Sequence, residues 1–294
     1  MPATVEYLAA QTVGDVLSAL ADGSTAVLAG GQSLATELGR ADLPVRRLVD
    51  INRVAGLATL RQGDGVLRVG PLVRHRAFES GRVGGPLGEL MHLIVRHLGH
   101  PPIRARGTMV GSLAYAHPAA EWPALAVTVG ARLRLTGPDG TRTVPAAEFF
   151  TGPFTTVRRP EEMLTEVTLP VLPDGTGVGY AEDRRFTIFP QAGALAVVTV
   201  AGSRVTAAAI GLVNAGPRPL RATVAERALL GGTLCDAAIT AAAETAADTD
   251  ADLPPTGHDH RRARRNALKT LVRRSLTQAR SRLETPPPPA APRG

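Results

Sequence analysis

Residues 25–39, TAVLAGGQSLATELG, place a glycine pair between a short apolar run and a helical pattern. A strand, a glycine turn and a helix start bring several unpaired backbone N–H groups to one point, where the helix dipole adds partial positive charge. Gly30 and Gly31 permit positive φ and a close approach of an anion to the backbone, and Ser33 adds a hydroxyl donor. The stretch is typical of a phosphate-binding turn, although a plain strand-to-helix turn shows the same pattern.

Two familiar phosphate motifs do not explain this stretch. No G-x-G-x-x-G follows a strand pattern, and Lys269, the only lysine, follows no glycine-rich loop, so neither a Rossmann fingerprint nor a P-loop is predicted. A remote alternative is a serine hydrolase, because GQSLA resembles a nucleophile elbow around Ser33, and Asp183 and His258 follow in the order of a triad. Few residues precede Ser33, and no HGGG-type oxyanion segment is visible, which argues against a hydrolase.

Composition limits the remaining chemistry. The 294 residues, 44% hydrophobic and 20% charged, predict a packed globular protein of one large or two ordinary domains. Cys235 is the only cysteine, which excludes a disulfide framework and an iron–sulfur cluster or cysteine zinc site held by this chain alone. His92 and His97 would point roughly 140° apart on a helix, so no metal site is predicted. If the protein moves electrons, an organic cofactor or a partner must carry them.

Charge and hydropathy bear on partners and location. The net charge of +7 comes almost entirely from arginine, and much of it lies in residues 258–282. Apolar residues recur there at helical spacing and aromatic content is only 3%, so a solvated C-terminal helix is favoured over a nucleic-acid surface. No apolar run is long enough for a membrane span and no signal peptide is recognised, so a cytoplasmic location is expected.

The elements that must position the glycine pair follow a mixed pattern. Thr12 is predicted to cap a helix, TAVLAG to form a strand, and Ser33 to begin a helix. A hairpin is predicted around QGDG, and a helix ending at Gly99. After a linker near residues 173–178 the pattern changes to antiparallel strands followed by helices. We therefore expect domains at residues 1–174 and 178–282, and a disordered proline-rich tail at 283–294.

Three segments together resemble one known family. They are LAGGQSL at 28–34, IRARGTMVGSLAYAHPAAEWPALAVTVGARLRL at 103–135, and PPTGHDHRRARRNALKTLVRRSL at 254–276. Their order and spacing are similar to those of the flavoprotein (medium) subunits of molybdenum hydroxylases, the xanthine dehydrogenase and carbon monoxide dehydrogenase family. The resemblance covers about residues 3–280, nearly the whole chain.

The resemblance implies an α+β fold: a vanillyl-alcohol-oxidase-type (PCMH) FAD-binding domain of two subdomains, followed by a small C-terminal α+β domain. The first turn would wrap the FAD pyrophosphate, the second would form another cradle, an acidic residue would lie near the cofactor's polar half, and a leucine backbone would lie against the flavin ring. The implied residues are Val27, Leu28, Ala29, Gly30, Gly31, Gln32, Ser33 and Leu34, then Thr108, Gly111 and Ser112, then Glu121 and Leu164.

The resemblance also implies a role in electron transfer. A [2Fe–2S] small subunit would pass electrons to FAD on this chain, a molybdopterin large subunit would hydroxylate the substrate, and the flavin would reduce an external acceptor. Two copies of this three-subunit unit are expected. No acid, base, nucleophile or metal ligand is required from this chain, because the isoalloxazine performs the redox chemistry.

Two positions depart from the family pattern. Val110 replaces a glycine of the second turn, where a β-branched residue would resist positive φ and crowd a phosphate. His117 replaces an aspartate, which removes an acceptor and adds a titratable group. A rival hypothesis therefore stays open, in which the fold is stand-alone or repurposed as a binding module with altered or lost FAD binding.

Overall fold

The computed structural model of the chain describes residues 5–38, 45–184, 188–255 and 258–284 as a mixed α/β fold. The strands are β1 (Glu6–Ala9), β2 (Thr25–Leu28), β3 (Arg47–Asp50), β4 (Leu60–Gly63), β5 (Val66–Val69), β6 (Arg132–Gly137), β7 (Gly140–Pro145), β8 (Phe150–Gly152), β9 (Thr155–Thr156), β10 (Met163–Pro170), β11 (Thr176–Asp183), β12 (Ala192–Ala201), β13 (Arg204–Val213) and β14 (Leu220–Arg221). The helices are α1 (Val13–Leu20), α2 (Leu34–Leu38), α3 (Gly85–Val95), α4 (Pro101–Arg106), α5 (Met109–Tyr115), α6 (Glu121–Thr128), α7 (Ala146–Phe149), α8 (Thr223–Leu229), α9 (Asp236–Thr245) and α10 (His258–Glu284).

The N-terminal unit is a parallel sheet in the order β1-β3-β2, with α1 packed against it through buried Val16 and Leu20. The predicted cap at Thr12 is confirmed: Thr12 Oγ1 accepts from the Asp15 N–H at 3.1 Å, and the Asp15 carboxylate accepts from the Thr12 N–H at 2.9 Å. This reciprocal capping box starts the helix that covers the sheet. β2 is an edge strand of this sheet, so the glycine pair that follows β2 lies at the edge of the sheet.

The central unit is an antiparallel sheet in the order β4-β5-β10-β6-β7. The predicted hairpin joins β4 and β5 through Asp64 and Gly65, whose φ values of 53° and 73° are those of a type I′ turn. Helices α3, α5 and α6 supply the apolar side chains that pack with this sheet in one buried cluster. Helix α5, which follows the second glycine turn, contacts β10 of this sheet.

One helix between the two glycine turns was not predicted. The helix expected to end at Gly99 is α3, which ends earlier, and Gly99 follows it with a φ of 52°. Pro101 and Pro102, which mark the end of the first helix in the sequence, also occupy the first turn of α4, where proline needs no N–H donor. The short α4 carries the chain directly into the second glycine turn at Gly107.

The C-terminal unit is an antiparallel sheet in the order β11-β12-β13-β14, with the arginine-rich α10 packed across β11 and β12. A methyl group on Gly179 would lie 2.0 Å from the Ser275 carbonyl oxygen, so the helix approaches the strand closely only because Gly179 has no side chain. The predicted strands and helix are confirmed here. The helix continues to Glu284, past the expected boundary at 282, and the remaining tail lies outside the described residues.

The central and C-terminal units share a core. One buried cluster contains Leu90 and Leu125 from the first and Val178 and Leu195 from the second. A methyl group on Gly211 of β13 would lie 1.9 Å from Thr128 Oγ1 of α6, so the C-terminal sheet packs directly on that helix. The position of α6 therefore depends on both units. In the ranges that the structure describes, no helix is both long and apolar enough to cross a membrane.

Candidate cofactor-binding site

The first glycine turn presents free backbone donors. Gly31 has a φ of 74°, while Gln32 Nε2 donates to the Gly30 carbonyl at 3.2 Å and so supports the turn. Within the described part of the chain, the backbone N–H groups of Gly31, Gln32 and Ser33 donate to no protein acceptor. Because α2 spans only five residues, its macrodipole is small, and these N–H groups are the main attraction for an anion.

The second turn offers different groups from those expected. Thr108 caps α5: its Oγ1 accepts from the Gly111 N–H at 3.1 Å, and its carbonyl accepts from the Ser112 N–H at 3.0 Å. Gly111 is required by this cap, since a methyl group there would lie 2.7 Å from Thr108 Oγ1. The backbone donors of Gly111 and Ser112 are therefore engaged, which leaves the hydroxyls of Thr108, 3% exposed, and of the half-buried Ser112 as the side-chain groups of this turn.

The two turns meet backbone to backbone. A methyl group on Gly30 would lie 2.4 Å from the Arg106 carbonyl oxygen and 2.7 Å from Gly107 Cα. Gly30 has no positive φ, so close approach, and not backbone conformation, requires glycine there. The sequence interpretation of Gly30 as a residue that lets a phosphate approach is therefore corrected, because its space is taken by the second turn.

Two polar side chains hold the turns together, and no motif in the sequence indicates either. Asn52 Nδ2 donates to the Ala29 carbonyl at 2.9 Å. The Arg74 guanidinium donates to both Asn52 Oδ1 and the Arg106 carbonyl. This bridge satisfies backbone carbonyls on both sides of the contact, and it fixes the first turn relative to the second.

The buried His75 forms a hydrogen bond with the second turn. The His75 N–H donates to the Gly107 carbonyl at 2.9 Å, and Trp122 Nε1 donates to His75 Nδ1 at 2.9 Å. Burial, together with the Arg104 and Arg74 charges, lowers the pKa of His75 to about 3. His75 is therefore neutral with Nδ1 as the acceptor, and its ring and its backbone N–H connect Trp122, in the first turn of α6, to the Gly107 carbonyl.

Val110 does not have the effect that we expected. It is the second residue of α5 with no positive φ, and its side chain is 2% exposed in the central core. A valine is accommodated there because this position faces the core and not the turn. The expected strain from a positive φ is therefore absent, and the buried side chain gives no support for crowding of a phosphate.

His117 does not remove an acceptor. Its Nδ1 accepts from the Ala119 N–H at 3.0 Å, the bond to residue i+2 that an aspartate makes in an Asx turn. Its ring stacks on Phe189 of the C-terminal unit with centroids 3.6 Å apart. Burial lowers the pKa of His117, although Glu37 opposes the shift, so the imidazole stays neutral and able to accept at neutral pH.

Glu121 and Leu164, the remaining residues expected at the site, are both buried. Leu164 is buried on β10 in a stretch that β5 does not reach, since β5 pairs only from Val167 onward. Glu121 begins α6, is 3% exposed and pairs with Arg184 of the C-terminal unit. Burial raises the pKa of Glu121 to about 7 despite that pairing, because Arg184 is shared with Glu182.

The pKa of Glu121 has a consequence for stability. The folded chain keeps on Glu121 a proton that the unfolded chain releases near pH 4.5, so folding stability falls as the pH rises from there toward 7. Glu182 behaves in the opposite way: burial alone would raise its pKa, but hydrogen bonds with His97, Arg184 and Tyr180 lower it to about 2. Glu182, which accepts more hydrogen bonds, therefore stays ionised, and Glu121 is the carboxylate that binds the proton.

The described residues do not support a serine hydrolase site or a metal site. Ser33 makes no hydrogen bond with a described histidine or aspartate, and the side chain of His258 lies outside the described residues. No group of three or more metal-binding side chains is present in the same ranges. The structure thus brings the two glycine turns together and leaves the elbow serine without a described triad partner.

Gly30→Ala tests the contact between the turns. The added methyl group has no room against the Arg106 carbonyl, so we expect a loss of about 2 kcal/mol in unfolding free energy and at least tenfold weaker FAD binding. Urea unfolding and fluorescence titration with FAD measure both. Gly63→Ala, where nothing lies within 4 Å, is the matched control and should change neither. Wild-type FAD affinity in Gly30→Ala would contradict the contact's role.

Val110→Gly separates packing from cofactor contact. Losing a buried side chain and gaining a helical glycine should lower the unfolding free energy by about 3 kcal/mol. The FAD dissociation constant of the folded protein should stay within about twofold, because the side chain faces the core. A clear gain in affinity would show that Val110 does crowd the ligand.

Comparisons with known proteins agree with this geometry. Residues 3–172 match the FAD-binding domain in molybdopterin dehydrogenases, and residues 184–279 match the C-terminal domain of the carbon monoxide dehydrogenase flavoprotein. The alpha subunit of the 6-hydroxypseudooxynicotine dehydrogenase complex of Paenarthrobacter nicotinovorans is 33% identical over 95% of both chains. The carbon monoxide dehydrogenase medium chain of Hydrogenophaga pseudoflava is 32% identical over 84% of this chain and 87% of its own.

Solved structures show the same similarity over almost the whole chain. Carbon monoxide dehydrogenase from Hydrogenophaga pseudoflava, in a form lacking the Mo-pyranopterin moiety, matches with a TM-score of 0.88 at 32% identity, covering 96% of this chain and 99% of that one. Quinoline 2-oxidoreductase from Pseudomonas putida 86 matches with a TM-score of 0.87 at 29% identity, covering 95% and 97%. The chain therefore belongs to the family of FAD-binding medium subunits of molybdenum hydroxylases, and it is an oxidoreductase subunit whose cofactor is FAD.

Proposed function

We propose that this chain passes electrons from the iron–sulfur clusters of a partner subunit through FAD to an external acceptor. The observation that carries the proposal is the joined pair of glycine turns: a first turn with unengaged backbone N–H groups packs on a second turn that carries two hydroxyl groups. A pyrophosphate with several anionic oxygens fits such a set of donors. FAD, when bound, supplies the redox chemistry.

Each part of the site has a proposed task. Residues 27–34 hold the pyrophosphate, chiefly through the N–H groups of Gly31, Gln32 and Ser33, while Val27 and Leu28 lie in β2 and position the turn. At the second turn, the hydroxyls of Thr108 and Ser112 contact the cofactor, while Gly111 makes the cap possible. Glu121 accepts hydrogen bonds from the polar half of FAD, and the Leu164 backbone lies against the flavin ring.

The proposed architecture is a PCMH-type domain of two subdomains in residues 1–174 and a C-terminal domain in residues 178–282, with α10 continuing to Glu284. The three-stranded and five-stranded sheets correspond to the two subdomains. The flavin lies between these subdomains and the C-terminal domain. The core shared by the central and C-terminal units and the contact between the two glycine turns support this arrangement, because together they connect the three parts.

The proposed partners are a [2Fe–2S] small subunit and a molybdopterin large subunit, in two copies of a three-subunit unit. Two relatives carry names of multi-subunit enzymes, a dehydrogenase complex and a medium chain. The alternative of a repurposed fold without FAD loses its main motivation, since Val110 faces the core and His117 keeps the acceptor bond.

The first test of function is a visible absorption spectrum of the purified chain after incubation with FAD and desalting. We expect bands near about 370 and 450 nm at one FAD per chain, as for a bound oxidised flavin. Reduction of these bands by an added reduced iron–sulfur partner tests the electron path. A chain that stays colourless at micromolar FAD, both alone and with partner subunits, would contradict the proposal.

A further inference from the structure

Arg184 joins two buried carboxylates that belong to different units of the fold. Its NH2 group lies 2.5 Å from Glu121 Oε1, and its Nε lies 2.7 Å from Glu182 Oε1. Both glutamate side chains are only 3% exposed, and Arg184 itself is half-buried. Glu121 begins α6 of the central unit, whereas Glu182 and Arg184 lie at the end of β11 in the C-terminal unit.

The charges around this arginine are unevenly shared. Glu182 also accepts from Tyr180 Oη at 2.6 Å and lies 3.3 Å from Nδ1 of His97, whose side chain is 48% exposed. Glu121 has Arg184 as its only cation among the described side chains. Without Arg184, the two carboxylates would face each other across a gap with no cation between them, which is costly in a buried site.

A short chain of contacts leads from this cluster to the glycine turns. Trp122 follows Glu121 in the first turn of α6 and donates to His75, whose N–H donates to the Gly107 carbonyl. Gly107 is the residue on which Gly30 packs. A shift at the start of α6 therefore reaches the contact between the two turns through two hydrogen bonds. Apolar packing also holds α6, through the fully buried Trp122 and the close approach of Gly211 to Thr128, and the Glu121–Arg184 pair adds a directional contact at the first turn.

We infer that Arg184 is a positioning residue for FAD: by bridging Glu121 and Glu182, it lets the C-terminal unit hold α6, and hence the joined glycine turns, in the geometry that binds the cofactor. The inference rests on the proposed placement of FAD at these turns. It gives the C-terminal unit a task in cofactor binding, in addition to the surface that it contributes. Arg184 acts through other residues and need not touch FAD.

The test compares Arg184→Met with Arg221→Met in the full chain. Arg221 makes a similar pair with the buried Glu226 inside the C-terminal unit, at 2.7 Å, and among the described residues its side chain bonds only Glu226. We expect the dissociation constant for FAD to rise at least about tenfold at pH 8 in Arg184→Met, and less than about twofold in Arg221→Met. Thermal unfolding shows how much each loses in stability, and visible circular dichroism of the flavin reports its geometry.

A pH series gives a second readout. At pH 6, Glu121 is protonated with or without Arg184, so the loss of the arginine leaves one buried carboxylate and not two. At pH 8, wild-type Glu121 is ionised and paired with Arg184. In the variant, Glu121 has lost the charge that lowers its pKa and keeps its proton, so no ion pair holds the start of α6; Tyr180 and His97 are the other titratable neighbours. The ratio of variant to wild-type dissociation constants should therefore be larger at pH 8 than at pH 6.

The outcomes separate this inference from the proposed function. A wild-type chain that does not bind FAD would refute the function itself. Wild-type affinity and an unchanged flavin spectrum in Arg184→Met at pH 8 would overturn the positioning role alone. If Arg184→Met does not fold, Arg184→Lys replaces it: lysine lacks the planar fork that reaches both carboxylates, so binding at pH 8 should weaken about threefold. Wild-type affinity in Arg184→Lys would then overturn the inference.

Discussion

The backbone contact between Gly30 and the Arg106–Gly107 peptide is the constraint on which the rest of the site depends. It leaves no room for a side chain, so the N-terminal and central units meet at one defined spacing. The free N–H groups therefore belong to a turn that is held at a fixed spacing from the second turn. A site for a pyrophosphate needs donors held in advance, because donors that must be ordered on binding cost affinity.

Polar groups around this contact are satisfied by long-range partners. Asn52 and Arg74 bond the carbonyls on either side, and His75 bonds the Gly107 carbonyl from beneath. Because His75 is held neutral, this support does not change between pH 5 and 8. The buried Glu121–Arg184–Glu182 cluster is different, since one of its carboxylates titrates near neutrality. The support from His75 thus does not vary with pH, whereas the part connected to the C-terminal unit is sensitive to pH.

Local signals in the sequence predicted local structure well. The capping box at Thr12 and the Asp64–Gly65 hairpin were confirmed because both depend on residues within four positions of each other. The glycine pair was correctly predicted as a turn between strand and helix, and the family was identified from three motifs. The site residues themselves stay predictions, since no bound cofactor tests them.

Other features depend on contacts that sequence spacing does not show. Asn52, Arg74 and His75 meet the glycine turns only after the units pack, and none lies in a recognisable motif. Val110 was misjudged because the helix begins at Met109, which turns its side chain into the core. His117 was misjudged because an imidazole nitrogen replaces a carboxylate oxygen in the same turn bond. In each case the prediction used the residue type and not the backbone conformation at that position.

The most direct measurement is a crystal structure of the chain with FAD bound. The predicted result places pyrophosphate oxygens within hydrogen-bond distance of the backbone N atoms of Gly31, Gln32 and Ser33, with the Thr108 or Ser112 hydroxyl on the same group and the contact between Gly30 and Gly107 unchanged. A pyrophosphate bound away from both turns, or a cofactor that separates them, would contradict the joined turns as the origin of cofactor binding.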